Sequence, residues 1–332
     1  MSENRKKILI FGYFGFGNTG DELILLSLVN HLKDNARISV LSANPEKTSN
    51  EFKVKAVKRN NVFELVKEIF SSEILLGAGG LLQDKTSKKS IWYYLGLIFI
   101  GKILNKKVVL FSLGIGPINF SLNRWLTKKI LKKVEVITLR DMESAAELKK
   151  IGVSKKMIVT GDAVFSLDFS GYERKTHRYF TLGVMLRKFK NYKFFAKEIK
   201  EVCDDLSKLK KIEFISFPFQ PPEDNILPGR VIVLPDMKKL ILKISSLDMV
   251  IGARYHSLIL ASVFNIPFIG INCDEKVKNF CGFLKTECLD LRKNDFKKRL
   301  KSSIIKHIGQ DVKYDITKIK QKVEESFELI VI

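Results

Sequence analysis

The sequence predicts an α/β protein of two parallel-sheet halves, each of Rossmann-like design. Three observations predict it. Strand-length apolar runs alternate with helix-length amphipathic runs along the 332 residues. Glycine clusters stand at strand ends in the first half, where backbone N–H groups can meet an anion. In the second half, Asp248 to Lys276 reads as strand, turn, apolar helix and strand, with Arg254, His256 and Lys276 at or just past the strand ends. In such sheets that edge faces the ligand crevice.

The first half opens with the strand Lys7 to Phe11, then GYFGFGNTGDE and a helix from Leu23 to Leu32. The loop contains Gly17, Asn18 and Thr19 as candidate substrate contacts. It matches neither G-x-G-x-x-G nor a P-loop. Thr19 and Glu22 have capping-box spacing, which leaves Asp21 either as helix-dipole decoration or as a base. Strands follow over Arg37–Leu41 and Val54–Val57, then a helix over Val62–Phe70. The strand Glu73–Leu76 runs into GAGGLLQDKTS, whose Gly79, Gly80, Gln83 and Asp84 are further binding candidates, with Thr86 and Ser87 as polar tips. Ile91–Leu104 is the most apolar run, too short to span a bilayer, and is expected as a buried helix. A monotopic membrane contact is the alternative, because Trp92, Tyr93 and Tyr94 cluster at one end. The strand Val108–Leu113 ends in GIGP; the helix Asn123–Lys133 and the strand Glu135–Leu139 follow. Arg140 stands at that strand's tip, able to pair with Asp141 or to fork onto a carboxylate or phosphate. Asp141 caps the helix Glu143–Ile151, and Met157–Thr160 closes the half.

The pattern restarts after a polar stretch, which places a first domain over 1–169, a linker over 170–178 and a second domain over 179–310. The strand Phe180–Leu186 ends at Arg187, and a lysine-rich helix covers Tyr192–Leu209. Strands at Ile212–Phe217 and Val231–Leu234 and a helix at Met237–Ser246 lead to the Arg/His unit: strand Met249–Gly252, helix Tyr255–Phe264, strand Pro267–Ile271 and an Asp-Glu-Lys loop. Helices are expected over Asn294–Ile308 and Ile316–Ile330, the segment 311–332 crossing back toward the first domain.

Composition narrows the chemistry. The net charge of +22 would attract phosphates, anionic lipid or nucleic acid, but no nucleic-acid-binding signature accompanies it. Contact with an anionic membrane is compatible with it. Cys203, Cys273, Cys281 and Cys288 form no C-x-x-C pair, so neither a structural metal nor a disulfide framework is expected. The polar opening MSENRKK runs directly into a strand, and a cytoplasmic protein is expected.

Taken together, GYFGFGNTGDE, GAGGLLQDKTS, GIGP, RDMES (140–144), GDAVFSL (161–167), GARYHSLILA (252–261) and Asp274, Lys276 with Phe280 resemble the polysaccharide pyruvyl transferases, especially the bacterial type acting on cell-wall-linked polymers. The resemblance covers nearly the whole chain. It implies a GT-B-like fold with the two domains facing each other, and pyruvyl transfer from phosphoenolpyruvate to two hydroxyls of a lipid-linked or polymeric sugar, forming a cyclic ketal. It implies no further cofactor, and catalytic positions at Asp21, Arg140, Arg254, His256 and Lys276. The chain departs from the family pattern at Ala78, Gly80, Leu113, Ala163 and Cys273, none of them a charged candidate.

That chemistry needs cations for a donor carrying carboxylate and phosphate, and one group that exchanges protons near neutrality. His256 suits the second role, with Arg140, Arg254 and Lys276 in the first and Asp21 as base for the acceptor hydroxyl. A capped core histidine is the bland alternative for His256. Two other functions fit the same architecture: a glycosyltransferase with a nucleotide-sugar donor, and a non-catalytic glycan- or lipid-carrier-binding protein.

Overall fold

The computed structural model describes residues 5–85, 88–172, 178–189, 191–209, 211–224, 230–234 and 236–331. Thr86, Ser87 and most of the expected linker (173–177) lie outside the described residues. The chain divides into two compact units. One comprises Met1–Phe16, Asp21–Leu167 and Thr317–Ile332; the other comprises Gly17–Gly20 and Asp168–Ile316.

The first unit is built on a parallel sheet of β1 (Lys6–Phe11), β2 (Ala36–Ser42), β3 (Lys55–Lys58), β4 (Ile74–Ala78), β5 (Lys107–Leu113), β6 (Val136–Leu139) and β7 (Ile158–Val159). Their spatial order is β3-β2-β1-β4-β5-β6-β7. The order reverses between β1 and β4, so the loops after these two strands diverge and leave a crevice. The strands β1, β4 and β5 are buried along most of their length, as parallel strands covered on both faces must be. The helices are α1 (Thr19–Leu32), α2 (Pro45–Phe52), α3 (Val62–Ser71), α4 (Lys88–Ile103), α5 (Ser121–Leu131) and α6 (Met142–Ile151), with a 3-10 turn at Ala163–Ser166.

In α4, Ile91, Leu95 and Ile98 are buried in the core, whereas Trp92 and Ile103 are 53% and 61% exposed. The helix is therefore half-buried rather than enclosed, because its apolar residues run all the way round. The three aromatic residues near its start are divided: Trp92 faces outward and Tyr94 is buried. No helix among the described residues is long and apolar enough to cross a membrane.

The second unit repeats the plan with β8 (Phe180–Met185), β9 (Ile212–Ser216), β10 (Arg230–Val231), β11 (Met249–Gly252), β12 (Phe268–Asn272) and β13 (Cys288–Asp290), ordered β10-β9-β8-β11-β12-β13. Its reversal falls between β8 and β11. The helices α7 (Tyr192–Leu209), α8 (Met237–Ser245), α9 (Tyr255–Val263), α10 (Glu275–Phe283) and α11 (Phe296–His307) follow. The last helix, α12 (Thr317–Val331), belongs to the first unit. There Phe327 stacks on His31 at 4.0 Å and meets Phe111 at 4.5 Å.

Several elements differ from the sequence expectation, each for a local reason. Pro45–Phe52 is helical because Asn44 caps it and Pro45 occupies its first turn. Only Thr48 and Phe52 are buried there, so no apolar period announces it. The Asp-Glu-Lys segment is the start of α10, with Asp274 as its cap. The strand β13 is three residues long, and the expected strand over Val231–Leu234 shrinks to a two-residue exposed edge. The helix α1 begins at Thr19, one turn before Leu23. The Thr19–Glu22 capping box is replaced by other bonds: Asn18 Oδ1 accepts from Gly20 N–H at 3.1 Å, and Glu22 Oε1 accepts from Gly15 N–H at 2.8 Å.

Candidate active site

The first unit brings its glycine loops together at the β1/β4 reversal. Gly79, at φ +95°, approaches α1 so closely that a Cβ there would lie 3.0 Å from Asp21 Oδ1. Both a left-handed backbone and a close approach therefore demand glycine at this position. Gly17 is also left-handed, at φ +74°. Asp84, by contrast, is buried and saturated. It accepts from Asn119 N–H, Asn119 Nδ2, Phe120 N–H and Asn123 Nδ2, at 2.8 to 3.2 Å. Burial pushes its pKa up, but these four donors outweigh it and hold the carboxyl below its ordinary range. Asp84 thus ties the loop after β4 to the start of α5. Gln83 accepts from Lys85 N–H at 2.9 Å, a turn-shaping bond.

Arg140 takes the pairing option that its position offered. Only 7% exposed, its Nε donates to Asp141 Oδ2 at 3.0 Å, and its Nη1 lies 3.7 Å from Asp162 Oδ2. Gly114 of the GIGP segment makes room for it, since a Cβ there would overlap the guanidinium. Asp141 also caps α6, and its carboxyl stays below the ordinary range because Arg140 and Ser144 outweigh its burial.

Glu22 carries a signal that its sequence position concealed. Burial raises its pKa from 4.5 to about 7 against the Gly15 hydrogen bond, with Asp21 adding to the rise. The folded protein thus keeps a proton that the unfolded chain releases above pH 4.5. Stability is therefore expected to be fully present below that pH, to fall by about 3 kcal/mol as pH rises toward 7, and to level off above. Glu22→Gln should remove this slope, leaving stability at pH 5 nearly unchanged and raising it at pH 8. Denaturant melts at both pH values check it; parallel pH profiles for the two proteins would refute it.

In the second unit, three neighbouring strands deliver their tips to one edge. Arg187 follows β8, Arg254 and His256 follow β11, and Asp274 and Lys276 follow β12. Asp274 joins two of these: Oδ2 accepts from Arg187 Nη1 at 3.2 Å, while Oδ1 accepts from the Lys276 N–H at 3.1 Å. Lys276 therefore lies in the first turn of α10, where the helix dipole disfavours a cation.

His256 lies in the first turn of α9, its ring edge-on to Tyr255 at 5.3 Å. It packs on the backbone of Gly20, where a Cβ would overlap Nδ1. Thr19 N–H donates to Phe219 O at 2.7 Å in the same unit, so Gly17–Gly20 is anchored beside the imidazole.

Arg254 has a partner that its sequence neighbours do not reveal. Asp224, with a fully buried carboxylate, takes it in a two-point fork, Nε to Oδ2 at 2.9 Å and Nη2 to Oδ1 at 2.5 Å; Nη1 reaches Gln220 Oε1 at 3.4 Å. Thirty positions separate the pair, and no local motif links them. Among the described residues, no group of three His, Cys, Asp or Glu side chains could hold a metal ion.

The edge of the second unit thus combines an imidazole, three cations, two of them paired with aspartates, the N-terminus of α9, whose N–H groups suit an anion, and the N-terminus of α10, capped by Asp274. A model of the polysaccharide pyruvyl transferase family matches residues 18–275. No curated protein matches the chain significantly. Solved structures similar in fold include the UDP-GlcNAc 2-epimerase of Neisseria meningitidis bound to UDP-GlcNAc (TM-score 0.67, 14% identity, covering 98% of this chain and 99% of that one). Another is the UDP-GlcNAc 2-epimerase of Methanocaldococcus jannaschii (TM-score 0.67, 11% identity, 98% and 99%). A third is Anabaena Alr3699/HepE in complex with UDP (TM-score 0.64, 11% identity, 98% and 100%). At these identities the likeness establishes the fold, two parallel-sheet α/β domains of the GT-B kind.

Proposed function

Because the chain belongs to the polysaccharide pyruvyl transferase family, we propose that it transfers a pyruvyl group from phosphoenolpyruvate to two hydroxyls of a surface-polysaccharide sugar or its lipid-linked precursor. The observation that carries this reading is the edge of the second unit, where His256, Arg187 and Lys276 accompany two helix N-termini. A small donor with a carboxylate and a phosphate fits that density of positive charge.

In the proposed reaction, His256 as imidazolium gives its proton to the methylene carbon of the enol, which leaves C2 electron-poor. A sugar hydroxyl adds to C2, and its proton passes to the phosphate that will leave. The bond from C2 to the phosphate oxygen then breaks and inorganic phosphate departs. The second hydroxyl closes on C2 and returns a proton to His256. One donor and one diol thus give one ketal and one phosphate. Lys276 and Arg187 hold the donor's anionic groups, and Arg254 acts through its fork with Asp224; Arg140, spent on Asp141 and Asp162, is left a positioning role within the first unit.

One competing reading is glycosyl transfer from a nucleotide sugar, since solved structures of the same fold hold UDP-GlcNAc or UDP. Thermal melting separates the two, since a ligand that binds the folded state raises its melting temperature by mass action. Phosphoenolpyruvate at millimolar concentration is expected to raise the melting temperature more than UDP or UDP-GlcNAc does. A response to UDP with none to phosphoenolpyruvate would favour the glycosyltransferase.

A further inference from the structure

Each arginine that the sequence singled out has an aspartate partner: Arg140 has Asp141, Arg187 has Asp274 and Arg254 has Asp224. Arg59 does not. It follows β3, at the same edge of the first sheet as the glycine loops, and its guanidinium is half-buried among aromatic rings. The guanidinium carbon lies 4.3 Å from the ring centre of Tyr93, 5.0 Å from that of Phe16 and 5.6 Å from that of Tyr94. Among the described residues, no carboxylate forms an ion pair with it.

This arginine is held in place rather than loosely exposed. Its backbone N–H donates to Ser42 O at 3.0 Å, and its backbone carbonyl accepts from the Tyr93 hydroxyl at 3.1 Å. Tyr93 therefore fixes the main chain with one end and stacks on the guanidinium with its ring. The rotamer entropy that a long cation usually loses on binding is already spent. Rings contact the faces of a guanidinium and leave its N–H edges for an acceptor in the plane.

A second polar group lies at the same place. The Tyr94 side chain is 2% exposed and its hydroxyl makes no hydrogen bond of sound geometry among the described residues. Burial pushes that hydroxyl up to about 12, against the positive charge of Arg59 and the approach of its guanidinium to the phenol oxygen, so the two groups form one polar cluster. Beside them Tyr13 and Phe16 stack face to face, 4.1 Å apart and 7° from parallel, with Phe16 39% exposed. A flat, half-open aromatic surface suits the apolar face of a sugar ring.

We propose that Arg59, Tyr94 and the Tyr13–Phe16 stack form a subsite for a glycosyl phosphate, the guanidinium taking the phosphate and the stacked rings the sugar. That this subsite serves the acceptor of pyruvyl transfer rests on the function proposed above; that it binds a sugar phosphate does not. Lipid-linked and nucleotide-linked sugars both present this chemistry.

Equilibrium titration of the full chain tests it without turnover. The probes are N-acetylglucosamine 1-phosphate, free N-acetylglucosamine and phosphoenolpyruvate, against wild type, Arg59→Lys and Arg59→Ala. The expected result is that N-acetylglucosamine 1-phosphate binds wild type and loses about tenfold or more in affinity in both variants, the loss of one charge-assisted fork. Free N-acetylglucosamine should bind much more weakly, and phosphoenolpyruvate should bind all three proteins alike. UDP-N-acetylglucosamine and a short polyprenyl-diphosphate N-acetylglucosamine then identify the source, the Arg59-dependent one being the ligand. Unchanged affinity for the sugar phosphate in a folded Arg59→Lys protein overturns the proposal. So does a loss of phosphoenolpyruvate binding in that variant, which would assign Arg59 to the donor. If Arg59→Ala lowers only the melting temperature and Arg59→Lys restores it with no change in binding, the arginine merely fills the aromatic box.

Discussion

His256→Ala is expected to lower the rate of phosphate release from phosphoenolpyruvate by about 10²–10⁴-fold, the range for loss of a general acid–base group. Donor affinity should change little, because Arg187, Lys276 and the two helix N-termini remain. The ring lies in the first turn of a helix otherwise buried from Ser257 to Ser262, against the backbone of Gly20. Truncating it leaves the helix core untouched, so the melting temperature should hold to within a few degrees. Rate and melting curve measured on one sample decide between catalyst and core residue. A folded variant with full turnover, or one that unfolds while its surviving fraction keeps normal turnover, would remove His256 from the mechanism.

Asp224→Ala is expected to be the most destabilising single change in the second unit. It leaves the Arg254 guanidinium, 13% exposed, without the carboxylate that holds it at two points. Removing one partner of a buried pair costs about 3–5 kcal/mol, which for a unit of this size lowers the melting temperature by roughly 10 °C. It also frees the side chain at the N-terminus of α9, so donor binding should weaken with stability. Asp224→Ala combined with Arg254→Met replaces the pair by apolar bulk and should recover most of the stability without recovering donor affinity. A melting temperature for Asp224→Ala within two degrees of wild type would show that the fork carries no such weight.

The balance between local and long-range information explains which parts were legible. Parallel strands buried on both faces read as continuous apolar runs, and β1, β4, β5 and β11 stood out for that reason. Helices with one buried stripe, such as α7, were equally plain. The helix α2 was hidden because it buries two side chains and depends on a cap. The glycines at 79 and 114 were visible as letters, but their purpose, admitting Asp21 and Arg140, lies in contacts 58 and 26 positions away (79 − 21 and 140 − 114).

What the sequence determined by itself was the order of strands and helices apart from α2, α10 and β13, the two-half plan, and the identity of the charged residues at strand ends. These follow from periodicity and from the rule that parallel sheets turn their functional side chains out at one edge. Only the tertiary structure decided what each charge does there. It gave Asp224 to Arg254, Asp162 to Arg140 and Asp274 to Arg187, buried Glu22 until its proton is held to about pH 7, and left Arg59 among rings, in no ion pair among the described residues. The physical reason is that a charge is set by what replaces its water, and those neighbours come from segments that no local pattern connects.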